Sequence, residues 1–310
     1  MGEWSKKIGE YGENVVERFL SVVGWQGLAK GNQIRCSKLN GEHLNQEGKA
    51  VNTHGIDFLY SYMNPLVDGQ LNNIVISSKF KTEKYPNSPT TEFKWFMTDL
   101  INMLECFDYS ELKNSLLQHY NYSTVNDVGV LFWLNNQEVS QDDLISIVSS
   151  AKFDIVRNNT IYIVDNKRAG FILEVMRYIK TQDKFSYSFY YPITGQNINP
   201  MNRMNTGDIL PVEFLNSSII PIKLVNKEND RETCLFLGTI DGFEQDTLMR
   251  LIGLAYDIST NLAGKIIIGF PDYSELSHKE IVATTKQGFQ NANFTKTVSV
   301  INFTNPINAF

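Results

Sequence analysis

Two short runs carry the residue types that could do chemistry. Gly55-Ile56-Asp57-Phe58-Leu59-Tyr60 sets one carboxylate at the head of an apolar stretch. Ile74-Val75-Ile76-Ser77-Ser78-Lys79-Phe80-Lys81 interrupts a β-branched stretch with two hydroxyls and a lysine. Asn64-Pro65 and Asp68-Gly69 between them are turn signals, so the pattern predicts a hairpin. Its two strands bring Asp57 and Lys79 side by side, where a carboxylate and an ammonium can hold a divalent cation and an attacking water. Further upstream, Glu13 and Glu17 are four apart and share a helix face, near the apolar stripe of Ile8, Tyr11, Val15, Phe19 and Val22. Gly9 and Gly12 in that helix cost about 1 kcal/mol each relative to Ala, and suit a close approach by another backbone or by a phosphate.

Taken in order, these pieces resemble the PD-(D/E)xK nuclease superfamily. In that fold a first helix carries a Gly-Glu pair and closes on Gly-aromatic, here Gly12-Glu13 and Gly24-Trp25. An Asp on one strand then precedes a Glu-x-Lys on the next. The resemblance covers residues 4 to 135. It implies a restriction-endonuclease-like α/β core with a mixed central sheet flanked by helices. It also implies a catalytic set of Glu13, Asp57, Ser77 and Lys79. Mg²⁺, with Mn²⁺ as the alternative, would be held by Glu13, Asp57 and the backbone carbonyl of Ser78. Ser77 departs from the motif, which has a carboxylate there, and a hydroxyl is the poorer ligand for a hard cation. Glu17, or the hydroxyl through water, is the candidate to compensate. More loosely, the Gly2-Glu3-Trp4-Ser5-Lys6-Lys7 start, Gly55-Ile56-Asp57-Phe58 and Phe270-Pro271-Asp272-Tyr273 resemble the nuclease-like subunit of a two-gene bacterial anti-phage defence system. That implies a second protein subunit, an oligomeric complex and activity triggered by infection.

Composition frames these expectations. The 310 residues are 42% hydrophobic and 12% aromatic, a core-forming mixture. A net charge of −6 argues against a protein coated with basic charge, though not against a local basic groove. Lysines 79, 81, 84 and 94 cluster around the hairpin against Glu83 and Glu92. Lys81, two residues beyond Lys79, points to the same face. Lys81, Lys84 and His54 are therefore the candidate nucleic-acid contacts, with a solvated face or a surface histidine as the plainer alternatives. Cys36, Cys106 and Cys234 are scattered without a CxxC pair, which argues for reduced thiols and against a disulfide framework or a zinc site. No apolar run is long enough to span a membrane and no signal peptide is present, so the expected location is the cytoplasm.

The elements that must position the site follow from periodicity. A helix is expected over 4 to 23, then a short strand at 34 to 36 and the hairpin. Beyond Pro86 and Pro89 comes a helix with stripe Phe93, Phe96, Leu100, Met103, Leu104 and Phe107, capped by Thr90 or Thr91. Asp127 to Leu134 and Thr160 to Asp165 read as buried strands, separated by a helix over 140 to 150. Asp165 is a strand-end site candidate, or an N-cap for the helix at 167 to 180. Phe185, Tyr187, Phe189 and Tyr191 alternate, as a core strand, an interface or a stacking surface for bases. Residues 195 to 207 are the candidate linker. The expected division is a nuclease-like domain over 1–195 and a smaller C-terminal α/β domain over 208–310 that meets partner or substrate.

Three functions remain open. One is a metal-dependent DNA endonuclease acting with a partner in phage defence. Another is a catalytically impaired nuclease-fold subunit that binds nucleic acid or scaffolds its partner. The last is an α/β protein in which Asp57 and Lys79 merely form a salt bridge.

Overall fold

The computed structural model describes residues 3–38, 41–136, 144–153, 159–201, 203–259 and 262–304. The chain divides into two compact units, Met1–Ala169 and Gly170–Phe310.

The first unit opens with α1 (Glu3–Val22), β1 (Ala29–Arg35), β2 (Thr53–Met63) and β3 (Gln70–Lys81). It continues through α2 (Thr90–Phe107), α3 (Glu111–Leu117), β4 (Thr124–Asn135), α4 (Leu144–Val148) and β5 (Ile161–Val164). Helix α5 (Asn166–Lys180) begins in this unit and runs on into the second. The five strands form one sheet in the order β1-β2-β3-β4-β5. β1, β2 and β3 pair antiparallel, and β3, β4 and β5 pair parallel. The parallel step needs a crossover, which α2 and α3 supply. β4 is buried along most of its length, Val128 to Trp133 being at most 1% exposed, as its unbroken apolar run predicts.

α1 packs on β3 because Gly12 allows it. A Cβ at Gly12 would lie 2.3 Å from Phe80 Cβ, whereas one at Gly9 would meet nothing within 4 Å. The close approach therefore belongs to Gly12 and a side chain of β3. Val16, Phe19, Leu20 and Val23 continue the contact into the core, with Phe19 edge-on to Phe132. α2 begins at Thr90 directly after Pro89 without a side-chain cap, so neither threonine takes the expected capping role. Its buried stripe is Phe93, Met97, Leu100, Leu104 and Phe107, and its Phe93 stacks on Trp133. Phe96, expected in that stripe, is partly buried; it packs on the core edge-on to Trp133 and also lies under Lys79. Only residues 144 to 153 of the region around the expected helix over 140 to 150 are described up to Phe153, and they contain α4; its expected acidic start lies outside the described residues. Asp165 accepts the Arg168 N–H at 2.9 Å, so it is the N-cap of α5.

The second unit holds β6 (Phe185–Tyr190), β7 (Thr206–Gly207), β8 (Ile219–Asn226), β9 (Thr233–Thr239), α6 (Gln245–Ser259), β10 (Lys265–Phe270), α7 (Glu275–Gln287), α8 (Ala292–Lys296) and β11 (Val298–Asn302). Its sheet runs β11-β10-β9-β8-β6-β7. Leu248, Leu251, Ile252 and Ala255 of α6 cover Leu235, Leu237, Ile266 and Ile268. The aromatic strand β6 is thus a member of the second sheet, and the stretch 170–195 lies with the second unit rather than the first. Phe189 and Tyr191 are core residues and Tyr187 is 36% exposed. Asp272 accepts the Phe243 N–H, and His278 stacks on the Phe243 ring, so both serve the local fold. Among the described residues no helix is long and apolar enough to cross a membrane.

Candidate active site

The hairpin forms as expected, with Phe58 opposite Ile76, Leu59 opposite Val75 and Tyr60 opposite Ile74. This pairing ends at Phe58 and Ile76, and below that point β2 continues against β1. Asp57 sits where β2 and β3 part. Its Oδ2 accepts the Ser78 backbone N–H at 2.6 Å. A strand residue turns its N–H and C=O to the same edge, so the Ser78 carbonyl also faces the Asp57 side.

Glu13 follows Gly12 on α1 and stays largely exposed. Its carboxyl is raised above the ordinary range by partial desolvation, then by the charges of Asp57 and Glu10. Burial also raises Asp57; the Ser78 N–H and Lys79 oppose that shift, and Asp99 reinforces it. The charge of Asp57 thus reaches Glu13, and that of Asp99 reaches Asp57, so oxygen donors from α1, β2 and α2 face one region. Hard oxygen donors of this kind suit Mg²⁺ or Mn²⁺, so the residues present fit the cation that the resemblance implies.

Lys79 does not pair with Asp57. Its Nζ lies 3.4 Å from Asp99 Oδ2 on α2 and 5.6 Å from the centre of the Phe96 ring. Lys79, Trp95, Phe96, Asp99 and Asn102 line a cleft of about 240 Å³ together with Leu44, Asn45, Gln46 and His54. Asp99 is the site residue that the sequence does not single out. It lies among several polar residues of a long helix, and only its position three residues after Phe96 ties it to Lys79.

Ser77 is 1% exposed, and its Oγ has no hydrogen-bond partner among the described residues. Glu17, the candidate to compensate, is paired with Lys30 of β1. Lys81 pairs with Glu92 in the first turn of α2, and Lys84 is exposed in the loop after β3. His54 is 4% exposed, turned toward His43, and one of the residues lining the cleft.

An acid at the parting of two strands, a lysine two residues beyond a serine, and a helix carboxylate beside them reproduce the layout expected from the motifs. Residues 1–168 match the family model of the GAPS4 protein PD-(D/E)XK nuclease domain, more than half of the chain. The chain belongs to this family. No curated protein matches it. The matched range includes Asp57, Ser77 and Lys79, the residues expected at the motif positions. The restriction-endonuclease-like α/β fold follows from the same membership and from the mixed sheet flanked by helices.

Proposed function

We propose that the protein is a divalent-metal-dependent endonuclease that cleaves DNA in anti-phage defence, in an oligomeric complex with a second protein subunit. The observation that carries this reading is the convergence of Lys79 with Asp99 beside Asp57, which supplies a carboxylate next to the lysine although Ser77 does not.

Glu13, Asp57 and the Ser78 carbonyl would hold Mg²⁺ or Mn²⁺, with Asp99 as a further oxygen donor. When bound, the cation supplies Lewis acidity at the scissile phosphate and lowers the pKa of a water. The Ser78 N–H fixes the Asp57 carboxylate in one orientation. Lys79, seated on Phe96, presents its ammonium to the cleft, where it orients the attacking water and stabilises charge on the phosphate. Asp99 keeps that ammonium in place. Lys81 and Lys84 contact backbone phosphates at the cleft's rim, which positions the strand without reading its sequence. The second unit, and its α6, α7 and α8 faces, is the surface offered to partner or substrate.

Ser77 supports a second reading, a subunit that binds nucleic acid without cutting it. Titration of Mn²⁺ and Mg²⁺ by calorimetry, joined to cleavage assays, separates the two. The nuclease reading expects cation binding that Asp57→Ala removes. It also expects Lys79→Ala to keep binding while losing about 10²–10⁴-fold in cleavage. Cation binding that is absent from the wild type, with DNA still bound, favours the second reading.

A further inference from the structure

Four side chains that the nuclease site does not use meet at one point. Cys36 follows β1, His43 lies in the next loop, His54 is the second residue of β2, and Cys106 lies in the last turn of α2. Each is more than nine-tenths buried, at 7, 4, 4 and 1% exposure. One donor atom from each lies within 4.8 Å of all the others. Cys36 Sγ and Cys106 Sγ are 3.8 Å apart. His43 Nδ1 is 3.4 Å from the first sulfur, 3.5 Å from the second and 3.3 Å from His54 Nε2.

These four separations match four of the six edges of a tetrahedral site, and the other two lie within 4.8 Å. Zinc bonded at about 2.3 Å to sulfur and about 2.0–2.1 Å to nitrogen has edges of about 3.8 Å between sulfurs, about 3.6 Å between sulfur and nitrogen, and about 3.3 Å between nitrogens. Hydrogen bonding alone does not explain the arrangement. A ring nitrogen offers one N–H or one lone pair, yet His43 Nδ1 faces two sulfurs and a second imidazole together. The surroundings also match a ligand set. His43 Nε2 is 3.3 Å from Glu105 Oε2, and Lys38 holds the same carboxylate at 2.9 Å. A proton on Nε2 shared with Glu105 leaves Nδ1 free to bind metal, the usual outer support of a metal-bound histidine. The Ser37 N–H donates to Cys106 Sγ at 3.3 Å, which suits a thiolate.

We infer that Cys36, His43, His54 and Cys106 bind one zinc ion in a closed site of two cysteines and two histidines. Thiolates and imidazoles without a carboxylate select zinc over magnesium. The absence of a CxxC pair argues against such a site, but its ligands come from the residue after β1, the next loop, β2 and α2. The ion fastens the loop that carries Leu44, Asn45 and Gln46, part of the lining of the cleft that also holds Lys79 and Asp99. It also ties α2 to β2 three residues before Asp57. The role is structural and stands apart from the cation of the hairpin site.

Elemental analysis of the full-length protein, purified without chelator through a histidine-free tag, tests this directly. One zinc per chain is expected, retained through dialysis against Mg²⁺ and released on thiol modification. Cobalt-substituted protein is expected to show the visible bands of tetrahedral Co²⁺ with sulfur charge transfer. Asp57→Ala keeps the full zinc content, whereas Cys106→Ser and His43→Gln lose it. The wild-type metal content and cobalt spectrum decide the matter even where those variants fail to fold. A wild type without zinc, iron or copper in its place, or zinc fully retained after loss of Cys106, overturns the assignment.

Discussion

Lys79 Nζ lies 3.4 Å from Asp99 Oδ2, so the lysine of the hairpin is paired with an acid from α2 and not with the acid of its own hairpin. Among the described residues Asp57 forms no ion pair with Lys79, and a plain Asp57–Lys79 salt bridge does not describe this site. The lysine is held from the helix, while Asp57 is held by the Ser78 N–H. Two carboxylates thus stand near one ammonium, from different elements.

Asp99 acts by positioning Lys79, which gives it a distinct mutational signature. Asp99→Asn is expected to lower kcat by on the order of 10- to 100-fold, since a small misplacement of a reacting group has that effect. Asp99 is half exposed, so the loss of stability should stay within about 1 kcal/mol. Asp99→Glu should recover part of the rate. Steady-state cleavage kinetics and thermal melts check this, and an unchanged kcat in Asp99→Asn would remove Asp99 from the site.

The two glycines of α1 should respond in opposite directions. Gly12→Ala puts a Cβ 2.3 Å from Phe80 Cβ, which must push α1 and Glu13 away from β3. Overpacking of this kind costs about 1–3 kcal/mol, set against a helix gain of about 1 kcal/mol. The net expectation is a destabilised protein with weakened cation binding. Gly9→Ala meets nothing within 4 Å and should stabilise by up to about 1 kcal/mol. Chemical denaturation of both variants tests the pair; equal effects would contradict the packing described for Gly12.

Much of this was legible in the sequence because it is local. Turn residues and β-branched runs mark the hairpin, the unbroken apolar run marks β4, and the Gly12-Glu13 pair marks the packed face of α1. Asp99 was hidden because nothing in a long helix says which polar residue faces a lysine on another element. The Cys36, His43, His54 and Cys106 cluster was hidden for a related reason: its members are far apart in sequence, and only the packing of α2 on the first two strands joins them. His54 accordingly turns inward, although its loop-like context suggested a surface residue. The aromatic alternation of β6 showed a strand but not its sheet, since alternation reports a face and not a neighbour.

Glu13 and Asp57 set a pH dependence. Both carboxyls are raised above their ordinary values of 4.5 and 3.8. The folded protein therefore holds protons that the unfolded chain has released. Without cation, stability falls as pH rises through the interval from those ordinary values to the raised ones. A cation competes with the same protons, so the Tm gain given by Mg²⁺ should shrink as pH falls into that interval. Asp57→Asn should flatten the dependence. Melts with and without Mg²⁺ across pH test this; a Mg²⁺ gain that persists undiminished to about pH 4 would contradict a site built on these two groups.

The most direct test is cleavage of supercoiled and linear DNA in Mg²⁺ or Mn²⁺. Wild type is compared with Asp57→Ala, each alone and with the proposed second subunit. The account predicts cation-dependent nicking or linearisation by the wild type that Asp57→Ala abolishes while remaining folded. Cleavage that survives in Asp57→Ala would move the chemistry away from the hairpin. No cleavage by the wild type in any mixture would contradict the endonuclease itself.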